Sequence, residues 1–439
     1  MPRGRTGPGS AAGLRGDGVG GRVGDDAQRP AGAAPAGRAG MIGTGATLRP
    51  LVVVVTPHLA LAALMQAVPV LAPAFTAAKG LPPEAVGLIS GLVGLGSLWF
   101  YAASGALMPA LGAVRALRLA CLGGALAVAA MAAGPVWLIG LGAPLLGICY
   151  AVTTPAGSEI LARHTPQRLW GALFSLRMAS VPAGGALAGV LGGTLASLWD
   201  WRAGIAALIL PALLAAGCLH RAARGLGEPP PRRRLSAAAV LAPANLLTPF
   251  RSLGANPGLG RLALASLGLA AVQTSTFTFL TTWLNAGAGI GLALAGSLFA
   301  TCQLASVAGR ILAGALTTRL PLRPVLIGLA LLSGASALML AGLRPGLPGW
   351  LLTAGAVLIG ASVASWNGLF LAEVARAARD PEVAAATAAA TFFTFLGFAL
   401  APPAFAAVSA LWGFPFAYRC AAAGALAATL VLALPPRRG

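Results

Sequence analysis

The chain has 439 residues, of which 57% are hydrophobic and only 9% are charged, against roughly 25% charged in an ordinary soluble protein. So little charge cannot cover several soluble domains, and most of the chain is therefore predicted to lie in lipid. The net charge of +20 comes from basic residues in short gaps between apolar runs, not from one water-facing stripe, which excludes nucleic acid as a main partner.

Residues 1–48 are rich in Gly, Ala, Arg and Pro without an apolar period, so they are predicted to form a disordered tail. Met41 heads a more ordinary start, which raises the hypothesis that the first forty residues are not translated. From Leu51 onward, apolar runs near the ~20 residues that cross a bilayer alternate with short polar gaps. They predict helices 1 to 12, at residues 51–77, 86–112, 116–133, 136–161, 170–197, 203–219, 261–284, 288–316, 323–342, 350–374, 383–410 and 414–434.

The twelve predicted helices fall into two groups of six, and matched features recur in both groups in the same order. Gly105 and Gly314 stand near the ends of helices 2 and 8, and Glu159 and Glu373 near the ends of helices 4 and 10. The predicted fold class is all-α, a polytopic membrane protein with twelve transmembrane helices in two six-helix pseudo-symmetric repeats. The two predicted bundles span residues 49–220 and 261–434. A basic cytoplasmic linker, residues 221–260, joins them, and a basic C-terminal tail follows at residues 435–439.

The basic residues also predict the orientation. With both termini in the cytoplasm, the inside segments hold 24 basic residues and the outside loops hold 4, which satisfies the positive-inside rule. One lysine against 29 arginines is typical of a GC-rich bacterial genome, so we expect a multi-pass protein of a bacterial inner membrane. The outside residues are Lys79, Arg202, Arg344 and Arg419.

Two patterns carry a resemblance to a known family. Gly314, Arg319 and Arg323 after helix 8, with Gly105 and Arg115 in the first repeat, resemble the Gly-x-x-x-Asp-Arg-x-Gly-Arg-Arg motif of the major facilitator superfamily. Helix 5 resembles loosely that family's antiporter motif, Gly-x-x-x-Gly-Pro-x-x-Gly-Gly. Small residues there allow close approach of a neighbouring helix. The helix 5 residues predicted to pack in this way are Gly184, Gly185, Gly189, Gly192 and Gly193.

The resemblance implies a central cavity lined by helices 1, 4, 7 and 10, and a cytoplasmic ion-pair latch that holds the outward-open state. The predicted gating set is Gly105, Arg115, Glu159, Gly314, Arg319, Arg323 and Glu373.

Three ionisable residues lie inside apolar runs, where a charge is costly and marks a candidate for function. Arg177 in helix 5 and Arg310 in helix 8 either pair with Glu159 and Glu373 as structural bridges or attract an anionic substrate. His58 in helix 1 is the candidate proton carrier, with a structural histidine as the alternative reading.

Uncharged polar residues in lipid-spanning helices need partners, so they are expected to face the bundle interior, either in helix–helix hydrogen bonds or around a substrate. Together with Arg177 and Arg310 they form the predicted substrate-binding set, whose other members are Gln66, Thr153, Thr154, Gln273, Thr276, Gln303, Trp366 and Asn367.

The sequence thus predicts a secondary transporter that moves a small organic molecule by alternating access, with a lean toward proton-linked efflux. The alternative is an uptake symporter or exchanger of a small organic anion, and a remote one is a non-transporting membrane sensor or scaffold. We expect no enzymatic activity, no cofactor and no metal, because no Walker sequence, paired acids or Cys-x-x-Cys spacing occurs. The expected partners are the lipid bilayer, the substrate and a coupling proton, and the chain is expected to act as a monomer.

Overall fold

A computed structural model describes residues 44–223, 226, 236–242, 245, 257–378 and 383–434. Within these ranges the chain is helical and contains no strand, so the predicted all-α class is confirmed. The predicted N-terminal tail up to residue 43, most of the linker 221–260 and the tail 435–439 lie outside the described residues.

The membrane-spanning helices are numbered α1 to α12 to match the twelve predicted segments. Eight of them are single helices: α1 is Thr44–Ala78, α2 Ala85–Leu111, α3 Ala113–Ala133, α4 Trp137–His164, α6 Trp201–Ala223, α7 Pro257–Ala288, α8 Leu292–Leu316 and α9 Leu322–Ala341. A 3₁₀ turn, Gln167–Leu169, precedes α5, and a short helix, Ala237–Val240, lies in the predicted linker.

The two remaining spans before residue 383 are interrupted. In α5, a π-helical turn at Ala188–Gly192 separates Trp170–Leu187 from Gly193–Leu198. In α10, three residues that are not α-helical separate Gly349–Val363 from Asn367–Ala377. Interruptions of this kind expose backbone groups that a regular helix satisfies internally, so something else must satisfy them in lipid.

One long helical stretch, Val383–Ala433, contains the last two crossings. Gly413 lies within it at φ 81° and ψ 161°, which is not helical, and we call the parts before and after it α11 and α12. An unbroken helix of these 51 residues would be roughly 77 Å long, far beyond a hydrocarbon core of ~30 Å. The eleven apolar stretches long enough to cross a membrane, one of them this double stretch, therefore make twelve crossings, as predicted.

Successive crossings alternate in direction, so the start of α1 and the end of α12 lie on one face of the bundle, which we call the terminal face. The opposite face is the far face. Exposed tryptophans mark the far face, as aromatic residues mark a membrane–water interface. Each is between 63% and 75% exposed at the far-face end of its helix, and they are Trp137, Trp199, Trp350 and Trp412.

Inside each half, glycines bring helix backbones together. A Cβ placed on Gly147 of α4 would lie 1.9 Å from the Val93 carbonyl oxygen of α2. A Cβ on Gly360 of α10 would lie 2.0 Å from the Cys302 carbonyl oxygen of α8. Only glycine fits at these crossings, and such small-residue packing is what holds helices together in lipid.

The two halves meet mainly toward the far face. Gly189 of α5 and Gly296 of α8 face each other, since a Cβ on Gly296 would lie 2.3 Å from the Gly189 carbonyl oxygen. The Thr281 hydroxyl of α7 donates to the Pro69 carbonyl of α1 at 2.5 Å. Near the terminal-face ends of α2 and α8, by contrast, nothing lies within 4 Å of a Cβ placed on Gly105 or Gly314.

The buried apolar side chains show the same asymmetry. One cluster runs from the first half into the far-face end of the second, where it includes Phe279, Trp283 and Phe405. The terminal-face end of the second half forms a separate cluster around Leu326 and Phe370. The halves therefore share a core on the far face and keep separate cores on the terminal face.

Replacement of Gly413 by alanine is expected to destabilise the protein. Its backbone lies in a region essentially restricted to glycine, and a side chain there costs roughly 1–3 kcal/mol. The measurement is thermal unfolding of the purified protein in detergent. Gly217→Ala is the matched control, because Gly217 is a helical residue with nothing within 4 Å of its Cβ position. Equal melting temperatures for the two variants would contradict this role of Gly413.

Candidate functional site

A cavity of about 150 Å³ lies between the two halves near the middle of the helices. Four helices of the first half and two of the second line it, so it belongs to neither half alone. The lining residues are Ala62, Met65, Gln66, Val68 and Pro69 of α1, Ile89, Ser90, Val93, Gly94 and Ser97 of α2, Tyr150 of α4, Val181 of α5, Gln273, Thr274, Phe277 and Thr278 of α7, and Phe395 and Phe398 of α11.

The polar part of the wall is uncharged. Gln66 of α1 and Gln273 of α7 face the cavity from opposite halves, as the repeat in the sequence predicts. Asn367, at the start of the second α10 segment, donates its side-chain N–H to Gln273 Oε1 at 3.1 Å. This bond orients the Gln273 amide, whose NH₂ group can still donate to a ligand.

The apolar part of the wall combines aliphatic side chains with three phenylalanines, Phe277, Phe395 and Phe398, which were not among the predicted site residues. Phe395 of α11 packs against Tyr101 of α2 with ring centroids 4.5 Å apart, and against Phe398 at 5.3 Å. Ser90 of α2 also lines the cavity unpredicted. A hint was present in the sequence, since four phenylalanines fall within residues 392–398 of a chain that is only 6% aromatic.

Arg177 lies behind the cavity wall and is only 2% exposed, and its guanidinium donates hydrogen bonds to α4. It donates to the Ser158 hydroxyl at 3.0 Å and to the Thr153 and Thr154 carbonyl oxygens at 3.2 and 3.1 Å. Its Nε has no hydrogen-bond partner. The acceptors are neutral, so a full positive charge is buried here without a carboxylate beside it.

The predicted structural bridge between Arg177 and Glu159 is not formed. Glu159 instead pairs with Arg163, one turn along α4, at 2.5 Å. The reason is geometric, because Arg177 meets α4 about one turn closer to the membrane centre, where only carbonyl and hydroxyl oxygens are available.

His58 of α1 lies behind the cavity wall, next to a residue that lines it. Its ring is buried, its Nδ1 has no hydrogen-bond partner, and it lies 6.0 Å from the ring of Tyr150, which lines the cavity. The histidine is therefore one side chain behind the cavity wall.

Arg310 of α8 contacts the break in α10. Its Nε donates to the Ala364 carbonyl oxygen at 3.2 Å, directly after the first α10 segment ends. The predicted bridge to Glu373 is also absent, and Glu373 belongs to no ion pair among the described residues. Trp366 in the same break is fully buried against Phe370, and its indole N–H has no partner.

The remaining predicted substrate residues also lie behind the lining. The Thr153 hydroxyl donates to the Tyr150 carbonyl at 2.7 Å, and the Thr154 hydroxyl accepts from Tyr101 at 3.2 Å. The Gln303 amide of α8 fills the space beside Gly185 of α5, where a Cβ would lie 1.8 Å from its Nε2. Thr276 is fully buried and its hydroxyl has no hydrogen-bond partner.

The helix 5 glycines face three different helices. A Cβ on Gly184 would lie 2.4 Å from the Leu59 carbonyl oxygen of α1. Gly189 and Gly193 approach Gly296 of α8, while Gly192 approaches Leu208 of α6. The π-helical turn falls on this stretch, so α5 is irregular where it meets the other half.

The predicted gating residues lie apart on the terminal face. Arg115 and Arg319 are exposed, and neither forms an ion pair within the described ranges. Arg323 donates to the carbonyl oxygens of Leu432 and Leu434, which ties the start of α9 to the end of α12. None of these arginines joins one half of the bundle to the other.

The model of the Major Facilitator Superfamily matches residues 58–402. The chain belongs to this superfamily. The family is one of membrane transporters, which fits a cavity shared between two six-helix halves. No curated protein matches the sequence significantly.

Solved structures show the same fold at low sequence identity. A variant of the nucleoside transporter NupG has a TM-score of 0.71 at 14% identity, covering 88% of this chain and 98% of that one. The peptide transporter POT in complex with sulfate has a TM-score of 0.70 at 16% identity, covering 90% of this chain and 94% of that one. A bacterial homolog of the human lysosomal transporter Spinster, in an inward-facing and unoccupied conformation, has a TM-score of 0.66 at 18% identity, covering 89% of this chain and 95% of that one. Identities this low show the fold alone.

Arg177→Met is expected to destabilise the protein by roughly 2–4 kcal/mol, because it removes several hydrogen bonds from a charged donor, each worth about 1.5–3 kcal/mol before compensation. Arg177→Lys keeps the charge but reaches fewer acceptors, so an intermediate loss is expected. Denaturant unfolding in detergent measures both. Arg163→Met, on the exposed rim of the same helix contact, should change stability little. Wild-type stability of Arg177→Met would contradict the role assigned to this network.

Proposed function

We propose that this protein is a secondary active transporter that binds a small organic molecule in the cavity between its halves and moves it by alternating access. The observation that carries the proposal is the cavity itself, which takes polar and aromatic side chains from both halves. When the two halves tilt relative to each other, a ligand that contacts both of them is exposed first to one side of the membrane and then to the other, as in transporters built from repeats.

The asymmetry of the packing supports a state that is closed on the far face. Gly189, Gly296 and the bond from Thr281 to Pro69 hold the halves together there, while Gly105 and Gly314 have open space around them. With both termini in the cytoplasm, as the basic residues favour, this is the inward-open state. In that state the residues of the proposed latch, Arg115, Glu159, Arg319, Arg323 and Glu373, are expected to be apart, and they meet when the terminal face closes.

The lining favours a neutral or weakly polar substrate with an aromatic or aliphatic body. The two glutamine amides supply donors and acceptors, and the phenylalanines supply flat apolar contact. No Asp, Glu, Lys or Arg lines the cavity in the described part of the chain. This composition favours recognition by hydrogen bonds and stacking rather than by charge.

We propose that His58 couples transport to a proton, and that the direction is efflux in exchange for it. The His58 ring is buried beside Tyr150 of the cavity lining, its Nδ1 has no hydrogen-bond partner, and imidazole is the side chain that gains and loses a proton near neutral pH. In this proposal the ring exchanges its proton when the cavity opens to water. The loose resemblance of the α5 glycines to the antiporter motif of the family also favours exchange.

A second candidate, exchange or uptake of a small organic anion, rests on the two buried arginines. Neither Arg177 nor Arg310 has a carboxylate partner in the described structure. In this candidate function their two positive charges attract the anion. If Arg177→Gln and Arg310→Gln both transport at the wild-type rate, this candidate is excluded.

Substitution of either cavity glutamine is expected to weaken transport. Once a ligand-stabilisation screen of purified protein has found a substrate, Gln66→Ala and Gln273→Ala should raise its KM roughly two- to tenfold, for a lost hydrogen bond of about 0.5–1.5 kcal/mol. Uptake into proteoliposomes under an imposed proton gradient gives the measurement. Ser104→Ala on α2, outside the lining, is the control. Unchanged KM values in both glutamine variants would place the substrate elsewhere.

His58→Gln is expected to separate coupling from translocation. Without the titratable ring, the proton gradient should no longer drive accumulation, while substrate exchange down its own gradient continues. The comparison of driven uptake with counterflow in the same proteoliposomes measures this split. A variant that still accumulates substrate with the gradient would show that His58 is not the coupling group.

A further inference from the structure

A second cavity, of about 200 Å³, lies within the second half and is separate from the central one. It is formed near the far face by α7, α8, α9, α10 and the loop between α9 and α10. Its lining residues are Leu280, Leu284, Leu298, Cys302, Met339, Leu340, Gly342, Leu343, Leu347, Leu351, Leu352, Gly355, Ala356 and Ile359.

This lining is almost entirely hydrocarbon. The only heteroatoms in its side chains are the sulfurs of Cys302 and Met339, for the lining residues described. The nearby Trp283 indole N–H is already donated to the Leu340 carbonyl at 2.7 Å. A site without directional groups cannot select a polar substrate, but it can hold an alkyl chain.

The cavity has a closed floor and an edge that faces lipid. Leu280, Leu298 and Ile359 in its floor are at most 4% exposed, whereas Met339 and Leu351 at its edge are 37% and 39% exposed. The two edge residues lie on the outer surface of transmembrane helices, so the cavity communicates with the hydrocarbon of the bilayer rather than with water.

A positively charged side chain lies at the depth expected for a lipid headgroup. Arg344 is in the loop between α9 and α10, directly beside Leu343 of the lining, and Trp350 marks the interface at the start of α10. Arg344 is exposed and forms no hydrogen bond or ion pair among the described residues. The far-face cations of the first half differ, because Lys79 donates to the Gly134 carbonyl and Arg202 pairs with Asp200.

We infer that this cavity binds one acyl chain of a phospholipid from the far-face leaflet, with the lipid's anionic phosphate at Arg344. The interior accepts the chain, the edge admits it from the bilayer, and the unpaired guanidinium complements the headgroup. The inference does not depend on the transported substrate.

The test uses the full-length protein in bilayers that contain a phospholipid with a photoactivatable diazirine on its acyl chain. After irradiation, peptide mass spectrometry locates the adducts. The expected result is preferential labelling around Met339 and Leu351. Labelling there that only equals that of the other lipid-facing helix surfaces would overturn the inference.

Gly355→Leu fills the cavity and is expected to abolish that preferential labelling. The substitution is sterically feasible, because a Cβ there would meet only the flexible end of Met339, at 2.9 Å. Gly328→Leu is the matched control on α9, because nothing lies within 4 Å of a Cβ placed there. The lipid probe should label this variant as strongly as the wild type. Should Gly355→Leu fail to accumulate, Leu351→Phe at the edge carries the same test. Full labelling in a folded variant of either kind would refute the site.

The headgroup contact has its own measurement. Labelling with a phosphatidylglycerol probe should exceed that with a phosphatidylcholine probe, and Arg344→Gln should reduce this ratio about fivefold, as expected for one arginine near an anionic lipid surface. Arg419→Gln, an exposed far-face arginine outside the cavity lining, should leave the ratio unchanged. A ratio unaffected by Arg344→Gln, or equally affected by Arg419→Gln, would overturn the phosphate contact.

Discussion

Close backbone contact at glycine is the constraint on which this structure depends. In a bilayer the hydrophobic effect does not press one helix against another, since lipid tails are as apolar as leucine, so association depends on packing and on hydrogen bonds. Gly147 and Gly360 give such contact within the halves, and Gly189 and Gly296 give it between them. In this structure the close glycine contacts between the halves lie toward the far face, and open space surrounds Gly105 and Gly314 near the terminal face.

The second constraint is the satisfaction of irregular backbone inside the membrane. Pro155 interrupts the hydrogen-bond ladder of α4, and α10 breaks after Val363. Carbonyl oxygens near both places accept hydrogen bonds from buried arginines, Arg177 and Arg310. The two arginines therefore donate to backbone carbonyls of corresponding helices in the two halves, α4 and α10.

The central cavity differs in kind from the apolar cavity near the far face. The first has amides from both halves and an aromatic wall, so it can recognise a molecule with defined polar groups. The second has no nitrogen or oxygen on its lining side chains and has an edge on the outer surface of the bundle, so its chemistry suits an alkyl chain. This contrast separates a candidate transport site from a candidate lipid site within one fold.

The linear pattern of apolar runs determined the number of crossings, their order and the two-fold repeat, because bilayer thickness and backbone hydrogen bonding leave few other solutions. It also predicted that Gln66 and Gln273 face the interior of the bundle, because a polar side chain in a lipid-spanning helix needs a partner, and both side chains line the central cavity. It could not identify the partners of Arg177 and Arg310, because the sequence names the available carboxylates but not the backbone carbonyl oxygens that each arginine reaches in the folded bundle. The contribution of α2 and α11 to the cavity, including Ser90 and Phe395, was likewise decided only by the tertiary structure. Which side of a nearly uniform apolar helix faces a cavity depends on how the helices tilt and pack, and a weak apolar periodicity does not encode that.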